Sequence, residues 1–177
     1  MVRIGESLPP DARRTLPDPY EVAASVQDPE LPQLTLEDLG ILREVHENGA
    51  TVVATITPTY SGCPAMREIS ADLTHRLQQA GYRDVQVRTR LSPAWTSDWI
   101  TEAGRAKLAD AGIAPPSATA PRAAGSIPLT LTARPRIACP HCGSVRTTQT
   151  ARFSGTACKS LHRCDECREP FEHVKAI

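Results

Sequence analysis

Apolar positions along this chain change their period several times, and each change marks an element. Val22 and Val26 share one face of a short helical stretch starting near Tyr20, which Asp28-Pro29-Glu30-Leu31-Pro32 brings to a stop. Thr35, with Asp38 three residues on, reads as a capped turn. Ile41 to His46 and Thr51 to Thr57 are apolar, β-branched-rich runs joined through Asn48-Gly49, a combination that predicts two antiparallel strands around a tight turn. Pro64 suits the first turn of a helix, and Met66, Ile69, Leu73 and Leu77 recur at helical spacing until Gly81 supplies a stop. Val85 to Leu91 alternates as a third strand, and Ser97 to Ala111 predicts a last helix ending at Gly112 and Pro115-Pro116.

The order α-β-β-α-β-α predicts an α+β domain over 19–113, a small mixed sheet with helices on one face. Residues 1–18, with Pro9, Pro10 and Pro17, read as a flexible arm. Pro and Ala dominate 114–135, which reads as a linker with one strand at Ile127 to Thr132. A separate small β ribbon is expected over 136–177, with hairpins at Thr147 to Phe153 and Leu161 to Lys175. Its short strands bury little, so a chelator is expected to unfold this tail and spare the first domain.

At 177 residues the chain holds one ordinary core and a small appendage. Its N-terminus lacks the apolar run of a secretion signal, and no stretch reaches the roughly 18 apolar residues of a membrane span. A cytoplasmic location without membrane attachment is therefore expected. In that reducing compartment cysteines serve as ligands or reactive thiols rather than disulfides. Formal charge is zero, while residues 134–177 hold eight Lys/Arg against four Asp/Glu. The paired cysteines Cys139-x-x-Cys142 and Cys164-x-x-Cys167 have zinc-ligand spacing, and four thiolates on one zinc ion would cancel about half of that excess, which argues against a nucleic-acid partner. Apolar groups such as Trp95, Trp99 and Phe171 are expected to meet a protein client instead.

The cysteines bear the chemistry. Cys139 and Cys142 in Cys-Pro-His-Cys-Gly, with Cys164 and Cys167 in Cys-Asp-Glu-Cys, form two knuckles that suit a closed, structural four-thiolate zinc site. A redox dithiol, an iron–sulfur site and disulfides are the alternatives. Cys63 lies where a strand stops and a helix begins, a setting that favours thiolate and fits a nucleophile, a metal ligand or a docking point for a labile cluster. The bland reading is a small buried thiol filling a turn. Asp28 and Glu30, flanking the stiff Pro29, could project toward a partner or metal, or be solvated charges of a helix-stop loop. A thiol enzyme would need a histidine beside Cys63, and neither His46 nor His75 is placed for it. Cys158 belongs to neither knuckle and reads as a packed ribbon thiol, an alternative ligand or an exchange partner. His141 and His162 remain surface residues or neighbours of the ligand set.

Asp28-Pro29-Glu30, the Thr57-Pro-Thr-Tyr-Ser-Gly-Cys63-Pro turn and the element order resemble the iron–sulfur assembly domain of SufT and of cytosolic iron–sulfur targeting proteins. With Ser92-Pro-Ala-Trp95-Thr-Ser-Asp-Trp99 and the cysteine-rich tail, the chain resembles the PaaD subunit family of the phenylacetyl-CoA epoxidase system. The resemblance implies an accessory maturation factor of aerobic phenylacetate degradation without turnover of its own. Its partners would be the di-iron oxygenase and the flavin and iron–sulfur reductase of that system. It further implies Cys63 as a reactive thiol that transiently holds iron or an iron–sulfur cluster, Asp28 and Glu30 as its acidic motif, and Cys139, Cys142, Cys164 and Cys167 as ligands of structural Zn2+. A non-catalytic structural subunit of the oxygenase complex is the alternative.

Overall fold

The computed structural model describes residues 16–60, 62–117 and 136–177. Residues 1–15 of the arm expected over 1–18, and the strand expected at Ile127 to Thr132, lie outside the described residues. The first part is α+β. Asp18 accepts the backbone N–H of Tyr20 and caps α1 (Pro19–Ala24). Strands β1 (Leu42–Asn48) and β2 (Thr51–Ile56) pair antiparallel, with Asn48 opposite Thr51. Helix α2 (Met66–Gln79) buries Ile69, Leu73 and Leu77 and returns the chain to β3 (Asp84–Thr89), which pairs parallel with β2. The sheet is therefore mixed, in the order β1-β2-β3. Helix α1 packs on β1, α2 packs on β3, and the two helices touch each other.

The turn at Thr35 forms a reciprocal cap. Asp38 N–H donates to Thr35 Oγ1 at 3.1 Å, and Thr35 N–H donates to Asp38 Oδ2 at 3.0 Å. Ser97 to Ala111 breaks into a 3-10 turn, Ser97–Trp99, and α3 (Glu102–Asp110), whose N-cap Thr101 accepts from Gly104 N–H. Gly104 lets α3 approach the capped turn, since a Cβ there would come within 2.9 Å of Asp38 O. Lys107 then reaches Asp38 Oδ2 at 2.6 Å.

The ribbon differs from the separate unit that the sequence predicts. Strands β5 (Thr147–Ala151), β6 (Lys159–Cys164) and β7 (Pro170–Val174) form an antiparallel meander, but a short β4 (Ile113–Ala114), following α3, adds to β7 in parallel. Val174 joins the apolar cluster of Leu31, Ile41, Ile69 and Leu73. Ser97 N–H and Thr96 Oγ1 both donate to Ile177 O. A ribbon with so little core gains burial by packing its last strand on the larger domain, so the two share one apolar interior. Among the described residues, no helix is long and apolar enough to cross a membrane.

Candidate functional site

The four knuckle cysteines converge. Their sulfurs all lie within 4.8 Å of one another, with Cys139 to Cys167 at 3.7 Å and Cys142 to Cys164 at 3.6 Å. A zinc ion at about 2.3 Å from four tetrahedral sulfurs would set them about 3.8 Å apart, so the donor set fits zinc without rearrangement. Each knuckle turns back through a left-handed residue just after its second cysteine: Gly143 at φ 74° and Arg168 at φ 69°. Burial opposes ionisation of Cys164, yet the N–H groups of Cys167 and Glu166 and the nearby thiols bring it down to about 7. The Glu169 N–H lowers the Cys167 thiol, but burial and the three neighbouring sulfurs push it up to about 12. These sulfurs compete for protons, which a divalent cation would displace. Zinc held by Cys139, Cys142, Cys164 and Cys167 would tie the strands together and leave no open coordination position.

The second constellation lies where the ribbon meets the first domain. Asp28, Glu30, Thr59 and Cys63 from one side and Cys158 and Lys175 from the other line a single cavity of about 20 Å3. Leu39, Ile41, Met66, Trp95 and Val174 make its apolar walls. Cys63 is half-buried in the turn between β2 and α2, where its N–H donates to Tyr60 O. Burial raises its thiol pKa, outweighing hydrogen bonds from Ala65 N–H and the Thr59 hydroxyl, and the Glu30 and Asp28 carboxylates push the same way. The expected thiolate is thus corrected: the Ala65 N–H at the start of the helix acts on Cys63, but burial and the two carboxylates outweigh it. The expectation that Trp95 and Phe171 meet a protein client is corrected as well, because they are only 5% and 3% exposed, and Trp99 is packed beneath the Arg43 guanidinium.

Asp28 and Glu30 have different tasks. Asp28 Oδ1 accepts the N–H groups of Glu30 and Leu31, each at 2.9 Å, and holds the loop in shape. It is 6% exposed, and this burial raises its pKa. Glu30 instead reaches across the domain boundary, where the Cys158 thiol donates to its Oε2 at 3.7 Å. Burial also raises the Cys158 thiol, with Glu30 adding to the shift. Tyr60, which the sequence placed only within a motif, has its phenol pKa raised by burial, with Cys63, Glu30 and Cys158 adding to the shift. No histidine lines this cavity among the described residues.

Two family models match separate parts of the chain, on either side of residues 89–123. An iron–sulfur cluster assembly protein model matches residues 21–88, and the PaaD zinc beta ribbon domain matches 124–175. Over all 177 residues, and over the whole of the relative, the chain is 40% identical to a "Putative 1,2-phenylacetyl-CoA epoxidase" subunit of Escherichia coli (strain K12). The chain belongs to the PaaD family of epoxidase subunits. About half of the chain is also similar to solved structures. A domain of unknown function, DUF59, from Bacillus anthracis shows 25% identity and a TM-score of 0.47 over 51% of this chain and 87% of its own. A conserved hypothetical protein from Thermotoga maritima shows 25% identity and a TM-score of 0.44 over 51% of this chain and 90% of its own. In this PaaD-family chain, the cavity lies between the assembly-type domain and the zinc ribbon.

Proposed function

We propose that this protein is an accessory subunit of the phenylacetyl-CoA epoxidase system that helps load or maintain iron in a metal-bearing component, the di-iron oxygenase or its flavin and iron–sulfur reductase, through Cys63. The observation that carries this reading is the gathering of Cys63, Asp28 and Glu30 on one small, largely apolar cavity of the assembly-type domain. A half-buried thiol beside carboxylates suits a group that receives a cation and releases it, while the cavity has no room for a thioester substrate. Turnover by this chain is not part of the reading: the cavity offers no histidine to activate the thiol. Zinc on the four ribbon cysteines holds the wall that completes the cavity.

The test is to produce the oxygenase and reductase components with wild-type chain, with Cys63→Ala and without the chain, and to measure iron per component. Iron content should fall to a similar extent without the chain and with Cys63→Ala. Equal loading in all three would overturn the proposal. The rival is a stable structural subunit, which the partial burial of Cys63 favours. In that case the chain would co-elute with active oxygenase in gel filtration, and Cys63→Ala would change neither assembly nor iron content.

A further inference from the structure

Cys158 stands apart from the zinc knuckles and has no part in their coordination. Thr156, at 3.0 Å from its sulfur, and the Glu30 carboxylate hold its thiol in the wall of the cavity that Cys63 also lines. Cys63 and Cys158 belong to different domains yet line the same cavity, and Glu30 acts electrostatically on both. Two sulfurs with one shared carboxylate make a mixed soft and hard donor set, which suits a borderline divalent transition ion such as Fe2+ rather than Mg2+ or Ca2+. Size limits the guest further. A cavity of about 20 Å3 holds one body the size of a water molecule, hence one ion and not a multi-iron cluster.

We infer that Cys63, Cys158 and Glu30 together form a transient binding site for a single Fe2+-class cation, closed only when the ribbon is docked on the first domain. This deepens the proposed function and rests on it. The Cys158 sulfur lies 3.7 Å from Glu30 Oε2 and Cys63 lines the same cavity, but among the described residues only the four knuckle cysteines are already gathered as a metal-ready cluster, so this trio is not preformed as a resident-metal site. A cation must draw them together and can be given up when they relax, which is what a cargo site requires. On loading, each thiol loses its proton to solvent as its sulfur joins the metal, and no electron is transferred. The Lys175 ammonium, which also lines the cavity, is held by Ala157 O at 2.7 Å and by the ring of Phe153. The buried Lys159 is paired with Glu172 at 2.8 Å.

The experiment is an anaerobic Fe2+ titration of the full chain with its ribbon zinc in place, read by equilibrium dialysis. Co2+ in a parallel titration reports thiolate bonding through its charge-transfer absorption. Wild type should bind about one equivalent beyond the zinc. Cys63→Ser and Cys158→Ser should each weaken binding about tenfold or more and reduce the charge-transfer band, and Glu30→Gln should weaken it several-fold with the band retained. Zinc content and near-ultraviolet circular dichroism check folding, and if Cys158→Ser folds poorly, Glu30→Gln decides. Wild-type affinity in Cys158→Ser with loss in Cys63→Ser would overturn the two-cysteine site and leave Cys63 as the carrier. Absence of a second equivalent in wild type would overturn the site too. Component iron content would still judge the proposed function separately.

Discussion

The indole N–H of Trp95 donates to the carbonyl of Leu39 across 2.8 Å, and both residues line the cavity beside Cys63. This bond joins the segment after β3 to the end of the capped turn and fixes an apolar wall of the site. Trp95→Phe keeps most of the ring but leaves the Leu39 carbonyl unpaired, and should cost about 1–3 kcal/mol. Trp95→Ala adds a cavity and should cost about 3–5 kcal/mol. Urea unfolding midpoints at constant m-value provide the check.

Metal removal should be felt beyond the ribbon. Both tryptophans of the chain, Trp95 and Trp99, lie outside it, while Val174 and Ile177 connect β7 and its end to the first domain. A chelator strong enough to strip zinc should therefore shift tryptophan fluorescence along with ribbon circular dichroism. Unchanged emission after complete zinc loss would show that the tail unfolds alone, as the sequence by itself predicts.

Acid should weaken the clasp between α3 and the capped turn. Burial works to raise the Asp38 carboxyl, but the Lys107 and Thr35 hydrogen bonds and the Lys107 charge hold it below its ordinary value of 3.8. The unfolded chain then binds the proton more readily than the folded one. The stabilisation is present above about pH 4 and is lost as pH falls through the lower folded value. Asp38→Asn should cost about 1–3 kcal/mol at pH 7. Its difference from wild type should shrink below pH 4, as followed by thermal melts across pH 2.5–7.

Arg168 carries a β-carbon in a left-handed conformation where the first knuckle has Gly143. Arg168→Gly should relieve about 1 kcal/mol of backbone strain, partly offset by the greater freedom of glycine when unfolded. The expected outcome is equal or slightly slower zinc release to a chromophoric chelator. Faster release would mean that the Arg168 side chain contributes more than its backbone conformation costs.

Local signals were legible because their physics is local. Asn48-Gly49 set the hairpin, and Gly49 does take a positive φ of 64°. Thr35 and Asp38 form the reciprocal cap their spacing predicts, and the four knuckle sulfurs converge. Three features escaped for one reason: each depends on contacts distant in sequence. Ile113 and Ala114 have no periodicity of their own that would reveal a parallel partner at Glu172 and His173. Cys158 shows no motif that links it to Glu30. Cys63 at a helix start reads as a thiolate until the ribbon and the acidic loop surround it.

The pairing of Cys158 with Glu30 spans 128 positions of sequence. At synthesis rates of about 5–20 residues per second, the acidic loop waits roughly 6 to 25 s for its thiol partner to be made. During that interval the emerging first domain presents Cys63 on an open half-cavity, unshielded by β7. Synthesis of the ribbon is therefore also the step that encloses the thiol, and products that stop before it would leave Cys63 exposed to oxidants and stray metal.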